Sequence, residues 1–233
     1  MKKLELTPRL RMVAELIPQG LRLTDVGTDH AYLPAALLME GGIPSAIAAD
    51  LREGPLSRAR LTAREYGLEG KLSFCLCNGL AGISQEDTDA VAIAGMGGET
   101  IREILKAAPW TRERNIPLIL QPMSTMAELR RWLMENGYAI RAERLAREGD
   151  TLYTAWHVSA GQMKGLSEAE LCAGVNSREP LRGLWLDQWL GKTETALRGV
   201  SRSDSEGAAQ KRAYLEKTRH GLLEMRKEWE SWQ

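Results

Sequence analysis

Apolar positions recur along the first two thirds of the chain with two alternating periods. Between Thr7 and Gly20, residues Leu10, Val13, Leu16 and Ile17 fall on one face of a helix. Thr7 suits its N-cap and Pro8 its first position, and Pro18 and Gly20 end it. "LRLTDVG" (21–27) reads as a short strand entering a turn, and Pro34 as the start of a helix, "PAALLME", that Gly41 and Gly42 stop. The alternation then repeats. "SAIAAD" (45–50), "KLSFCLC" (71–77), "DAVAIAG" (89–95) and "PLILQP" (117–122) have strand character. "PLSRARLTAREYG" (55–67), "ETIREILKAA" (99–108) and "MAELRRWLMENG" (126–137) have helix character, the last with a glycine just past its end. Strand and helix in this order predict a parallel, doubly wound sheet. Such sheets hold ligands beyond the carboxyl ends of their strands.

The pattern then changes twice. "YAIRAERLAR" (138–147) and "TLYTAWHVS" (151–159), joined by "EGD", predict an antiparallel hairpin. Five parallel-type strands followed by such a hairpin correspond to the class I methyltransferase fold, α/β and Rossmann-like, an analogy of fold that does not by itself fix chemistry. "SAGQMKG" (159–165) reads as a linker. Beyond it Leu186, Leu190, Thr193, Leu197 and Val200 are spaced by fours and threes, as are Leu215, Thr218, Leu222, Met225, Trp229 and Trp232. With "SRSDSEG" (201–207) between them, they predict an antiparallel coiled-coil hairpin. The expected domains are therefore 1–159 and 160–233.

Composition narrows the class. The chain has 233 residues, 31 basic and 31 acidic, so no global field draws it to nucleic acid or membrane, and such binding must rest on local patches. Candidates are Arg52, Arg58, Arg60 and Arg64, and further on Arg130, Arg131, Arg141, Arg144 and Arg147. The tail, 161–233, is no basic arm, with 12 basic and 11 acidic residues. The three cysteines, Cys75, Cys77 and Cys172, fit no disulfide framework and read as buried thiols in a reducing compartment. No metal site is expected. Neither a signal peptide nor a membrane span is apparent, and the protein is expected to be cytoplasmic.

The strand ends carry the candidate chemistry. The turn after "LRLTDVG" holds one glycine, Gly27, where a dinucleotide fingerprint needs three. That disfavours a nicotinamide-dependent oxidoreductase, and the missing Gly-Lys-Ser/Thr excludes a Walker A loop. S-adenosyl-L-methionine carries no phosphate and suits acidic and backbone groups. Asp25 can order the turn and meet the ligand's ammonium end. Asp50 closes the second strand 25 residues later, near the spacing at which an acidic residue meets ribose hydroxyls. Each of these aspartates can equally be a helix cap. Asn78 and Gly79 end the third strand, where an amide can meet an adenine edge or simply form an Asn-Gly turn. Ala94, Gly95, Met96, Gly97 and Gly98 end the fourth, where small residues let backbone approach a ligand. Gln121 and Pro122 end the fifth. The Asn/Asp-Pro-Pro-aromatic motif of many base-modifying methyltransferases is absent.

"DVGTDHAYLP" (25–34), Gly54-Pro55, "NGL" (78–80), "IAGMGGETI" (93–101) and "LILQPMSTMAELRRWLMENGY" (118–138) resemble the bacterial tRNA (adenine(22)-N(1))-methyltransferases. The resemblance is strong over about residues 1–159, and the tail resembles the family's C-terminal coiled coil in kind. One departure is Asn78, where the family usually has an acidic residue. The resemblance implies methyl transfer from S-adenosyl-L-methionine to N1 of adenine 22 in the D-arm region of tRNA. N1 has an in-plane lone pair and needs no base before attack, so catalysis rests on positioning and on stabilising growing positive charge. Asp29 is the candidate carboxylate, with His30 positioning it, relaying a proton or bonding the loop. Asp25, Gly27, Asp50, Asn78, Gly79, Ala94, Gly95 and Met96 are expected around the cofactor. Tyr32, Gly97, Gly98, Gln121 and Pro122 are expected toward the base, Tyr32 either stacking on it or packing under the helix. N1 lies on the Watson–Crick edge, so the base must be unpaired or extruded. The competing readings are a small-molecule methyltransferase and a non-catalytic RNA-binding module.

Overall fold

The computed structural model describes residues 4–175, 178–200 and 206–233. Two compact units divide the chain: 1–125 with 132–163, and 126–131 with 164–233.

The first unit is built on a seven-stranded sheet. Its strands are β1 (Leu23–Val26), β2 (Ala46–Asp50), β3 (Leu72–Leu76), β4 (Ala90–Met96), β5 (Leu118–Pro122), β6 (Tyr138–Glu148) and β7 (Thr151–Ala160). They lie in the order β3-β2-β1-β4-β5-β7-β6. β1 to β5 pair in parallel, and β6 and β7 pair antiparallel, as the period-2 runs predict. β1 and β5 are buried along their whole length and β4 over its first four residues, the mark of strands covered on both faces. The strand order reverses beside β1, so β1 and β4 carry the switch point where α/β sheets bind ligands.

Helices α1 (Pro8–Leu16), α2 (Tyr32–Met39), α3 (Glu53–Tyr66), α4 (Gly98–Ala107), α5 (Trp110–Glu113) and α6 (Met126–Glu135) follow in the expected places. Thr7 caps α1 through its hydroxyl, which accepts from Leu10 N at 3.4 Å, and Pro8 opens it. α2 begins at Tyr32, two residues before the proline from which the sequence predicts it. Ala31 supplies the N-cap in the left-handed region, φ 54°, and Pro34 sits in the first turn, where no N–H is needed. The short α5, after Pro109, has too few residues to show a period.

In the second unit, α7 (Glu168–Ala173) precedes α8 (Arg182–Val200) and α9 (Glu206–Glu230). α7 was not expected, although "SEAE" carries its signature. Ser167 Oγ accepts from Glu170 N at 3.3 Å, and Ser167 N donates to Glu170 Oε2 at 2.7 Å, a reciprocal capping box. α8 and α9 run antiparallel: Arg226 near the end of α9 meets Asp187 near the start of α8 at 2.9 Å. Leu186, Thr193, Leu215, Thr218, Leu222 and Met225 of the predicted seam are buried. Most of "SRSDSEG" falls outside the described residues. Among the described residues no helix is long and apolar enough to cross a membrane.

Two cysteine expectations need correction. Cys172 is buried, but Cys75 and Cys77 are only half-buried, because β3 is an edge strand. Desolvation and the neighbouring Cys77 push the Cys75 thiol up to about 11, so it stays protonated.

Candidate active site

The site grows from the turn after β1. Gly27 takes φ 77°, and its N–H and that of Thr28 both donate to Ala49 O, at 2.8 and 3.1 Å. A Cβ on Gly27 would lie 2.0 Å from Met96 Cε, so the β4 methionine fills the space a side chain would need. Asp25, one residue before the strand's end, is buried. Burial pushes its carboxyl up to about 6; the Thr28 side chain works against that rise and the Asp50 carboxylate adds to it. The Thr28 hydroxyl is itself buried without a hydrogen bond of good geometry. Asp50 ends β2 and accepts from Arg52 N at 2.8 Å.

The rim of the turn is different in character. Asp29 is exposed and accepts a hydrogen bond from Arg58 Nη2 of α3. That guanidinium holds the Asp29 carboxyl below its usual range, with smaller help from His30. His30 Nε2 lies 3.5 Å from Asp29 Oδ2. The His30 and Tyr32 rings stack at 5.0 Å between centroids and 11° between planes, and Tyr32 is exposed. A carboxylate, an imidazole and an exposed aromatic ring therefore share one edge.

β4 and β5 close the other side. The register shifts between Ala94 and Met96, and Gly95, φ 77°, bulges out of the ladder. Its N–H donates instead to Gln121 Oε1 at 3.0 Å. The same oxygen accepts from Arg9 Nη1 at 2.9 Å, while Gln121 Nε2 donates to Pro122 O at 3.2 Å. Gln121 is fully buried, and Pro122 is buried with it. Both lie beneath the site, where the sequence placed them toward the substrate.

These elements enclose a cavity of 410 Å³. Among the expected residues, Asp25, Gly27, Asp29, His30, Tyr32, Ala94 and Gly95 line it. Met96 touches it through Gly27, and Asp50 acts on Asp25 from the next strand. Asn78 is not brought to it. It lines a separate 160 Å³ cavity with Leu80, Glu103 and Ile104. Gly79 packs against Ile104, which a Cβ would approach to 2.9 Å. Gly97 and Gly98 serve the chain itself: Gly97 caps α4, and a Cβ on Gly98 would lie 2.7 Å from Thr125 O.

Sequence reading missed Arg9 and Thr28, and gave Arg58 another role. Thr28 sat in plain view between Gly27 and Asp29. Arg58 was grouped with arginines considered for RNA, yet it pairs with Asp29. That group is largely engaged: Arg60 pairs with Glu53, Arg64 with Glu69 at 3.7 Å, and Arg131 with Glu168 at 3.0 Å. Arg130 is fully buried and donates to Leu171 O and Cys172 O at 2.9 and 3.0 Å, satisfying the end of α7. It cannot reach an RNA backbone.

A family model described as a methyltransferase domain matches residues 6–155. The tRNA (adenine(22)-N(1))-methyltransferase of Bacillus subtilis (strain 168) is 32% identical over 220 residues, 91% of this chain and 92% of that protein. This chain belongs to the tRNA (adenine(22)-N(1))-methyltransferase family. Solved structures agree with that membership. The crystal structure of the B. subtilis M1A22 tRNA methyltransferase TrmK superposes with a TM-score of 0.85 at 31% identity, covering 96% of this chain and 99% of that one. M. capricolum TrmK in complex with S-adenosyl-homocysteine superposes at 0.79 and 26% identity, covering 94% and 98%. Both superpositions extend beyond the methyltransferase domain into the helical tail.

Proposed function

We propose that this protein transfers the methyl group of S-adenosyl-L-methionine to N1 of adenine 22 in tRNA. The observation that carries the reading is the 410 Å³ cavity at the switch point, which joins a buried carboxylate, Asp25, to an exposed carboxylate–aromatic rim, Asp29, His30 and Tyr32. Identity over nearly the whole length of a curated tRNA (adenine(22)-N(1))-methyltransferase supports it.

The residues fit the cofactor. The cavity lies within the ordinary range for a small ligand. Its floor presents a carboxylate that burial makes hungry for a cation, beside a buried hydroxyl. Bound there, the cofactor supplies an electrophilic methyl group. Asp25 then holds the ammonium of its amino-acid end, and Gly27 gives the turn beside it the positive φ that the close approach of Met96 requires of a residue without a side chain. Asp50 serves the ribose from the end of β2. Gly95 and Ala94 form the wall toward the reacting methyl.

On the rim, Asp29 stays ionised because Arg58 pairs with it. It accepts a hydrogen bond from the adenine amino group and offsets the positive charge that grows on the ring as N1 is methylated. His30 orients Asp29, and Tyr32 offers the extruded base a ring to stack on. Residues 1–159 act as the catalytic domain. Within 160–233, α8 and α9 form a coiled-coil-type hairpin that grips tRNA by shape, since the charge of the tail is nearly balanced.

The test is methyl incorporation from labelled cofactor into unmodified tRNA transcripts, with the modified base mapped by reverse-transcription stops. A stop at adenine 22 that disappears when this base is replaced is the expected result. Cofactor binding without incorporation would redirect the search to a small-molecule substrate. Binding of tRNA without cofactor affinity would leave only an RNA-binding module.

A further inference from the structure

Most arginines of the first unit that the structure describes are matched with a carboxylate: Arg11 with Glu40 at 2.7 Å, Arg22 with Asp89 at 2.8 Å, Arg58 with Asp29. Arg9 is different. Its guanidinium lines the cavity, half-buried, and its contacts are neutral: Gln121 Oε1 at 2.9 Å and the face of the Tyr153 ring at 5.7 Å. Among the described residues no carboxylate pairs with that guanidinium; Glu148 accepts only from the Arg9 backbone N–H, at 3.3 Å.

The side chain is nonetheless fixed. Gln121 is buried and holds Arg9 Nη1 with the oxygen that also receives Gly95 N–H. An ideal Cβ on Gly95 would lie 3.5 Å from Arg9 Nη1, so the guanidinium stands against the β4 bulge. A guanidinium has five N–H donors in a rigid fork, and Gln121 engages one nitrogen. Removing such a charge from water without a counter-ion is unfavourable, and a preorganised fork is suited to a carboxylate or phosphate.

The charged side chains lining the cavity are Arg9, Asp25 and Asp29, and Asp29 already has a partner in Arg58. One cation and one buried anion remain, on the walls of a single cavity. We propose that Arg9 is the anion-binding arm of this site and takes the α-carboxylate of the cofactor's amino-acid end, opposite the ammonium held by Asp25. This inference rests on the cofactor reading above. It makes Arg9 a cofactor-binding residue contributed by the helix preceding the sheet, and Gln121 the residue that positions it.

Calorimetry with the full chain tests the assignment without turnover. The probes are S-adenosyl-homocysteine, its analogue lacking only the carboxylate, and methylthioadenosine, which lacks the whole amino-acid end. Wild type should bind the decarboxylated analogue about 10- to 100-fold more weakly than S-adenosyl-homocysteine, in line with a hydrogen-bonded charge pair. Arg9→Ala should lose a similar factor for S-adenosyl-homocysteine, bind the decarboxylated analogue as wild type does, and leave methylthioadenosine affinity unchanged. Arg9→Lys should recover part of the difference. An equal loss for all three probes in Arg9→Ala would make the arginine a scaffold residue and overturn the proposal. So would unchanged S-adenosyl-homocysteine affinity with weakened tRNA binding, which would assign the guanidinium to an RNA phosphate. Wild type indifferent to the carboxylate overturns it without any variant. If wild type bound none of the probes, the cofactor reading itself would fail, a result distinct from all of these.

Discussion

Asp25 and Asp29 stand four residues apart on one turn, and the fold treats them in opposite ways. Asp25 is buried at the floor, paired with no cation among the described residues, and its carboxyl is pushed up to about 6. Asp29 is exposed at the rim, paired with Arg58, and its carboxyl is held low. A buried, unpaired carboxylate gains most from a ligand that brings its own positive charge. An exposed, paired one stays ionised at every working pH and can answer charge that appears only during reaction. The floor is thus built for binding and the rim for turnover.

Breaking the rim should give the largest effect. Asp29→Asn should lower kcat by about 10²- to 10³-fold, the loss typical of one preorganised electrostatic contact, with cofactor Kd changed by less than about threefold. Single-turnover rates and calorimetry separate the two. Breaking the floor comes next. Asp25→Asn should weaken S-adenosyl-homocysteine binding by about 10- to 100-fold, read by calorimetry. The same variant should melt at a higher temperature than unliganded wild type at pH 7 to 8, because it removes a buried charge.

The pH dependence of the floor sharpens the comparison. The folded-state pKa of Asp25 is raised, so the folded protein binds more protons than the unfolded chain between about 4 and 6. Unliganded stability attributable to Asp25 should therefore fall as pH rises through that window. Cofactor affinity should move the other way, weakening as pH falls below 6 and the carboxylate is neutralised. Melting curves with and without S-adenosyl-homocysteine at pH 5 and 8 would show the crossover, and Asp25→Asn should flatten both trends.

The smallest effects belong to residues that support either end. Arg58→Ala should reduce kcat by about tenfold by freeing Asp29 to move and raising its pKa, while stability changes by less than about 1 kcal/mol, since the pair is exposed. Asn78→Asp tests the boundary of the site: tighter cofactor binding, by a few-fold, would extend the cofactor's adenine end to the cavity that Asn78 lines. No change at all would leave Asn78 with the separate cavity it lines beside Ile104.

The same contrast explains what the sequence could show. Strand order, the hairpin and the turn itself follow from periodicities of 2 and 3.6, because burial of one face repeats along each element. The floor was legible for a related reason: Asp25 and Gly27 sit at a strand end that topology alone brings to the switch point. Arg9 was not legible. It lies 18 residues before Gly27 on a helix whose caps and apolar face are complete without it, and only packing of α1 against the sheet brings it to Gln121. The Arg58–Asp29 pair likewise depends on how α3 lies beside the turn. The buried Arg130 shows the reverse error, a charge grouped with the arginines considered for RNA that instead closes the end of α7. Gly97 and Gly98 were read as making room for a ligand, whereas they make room for Ser124 and Thr125.

The most direct test of the division between floor and rim is single-turnover methyl transfer to a tRNA transcript under saturating cofactor and RNA, comparing Asp25→Asn with Asp29→Asn. Saturation should restore Asp25→Asn to within about threefold of wild type and leave Asp29→Asn slower by about 10² or more. The opposite pattern, with Asp29→Asn rescued by saturation and Asp25→Asn not, would contradict the account.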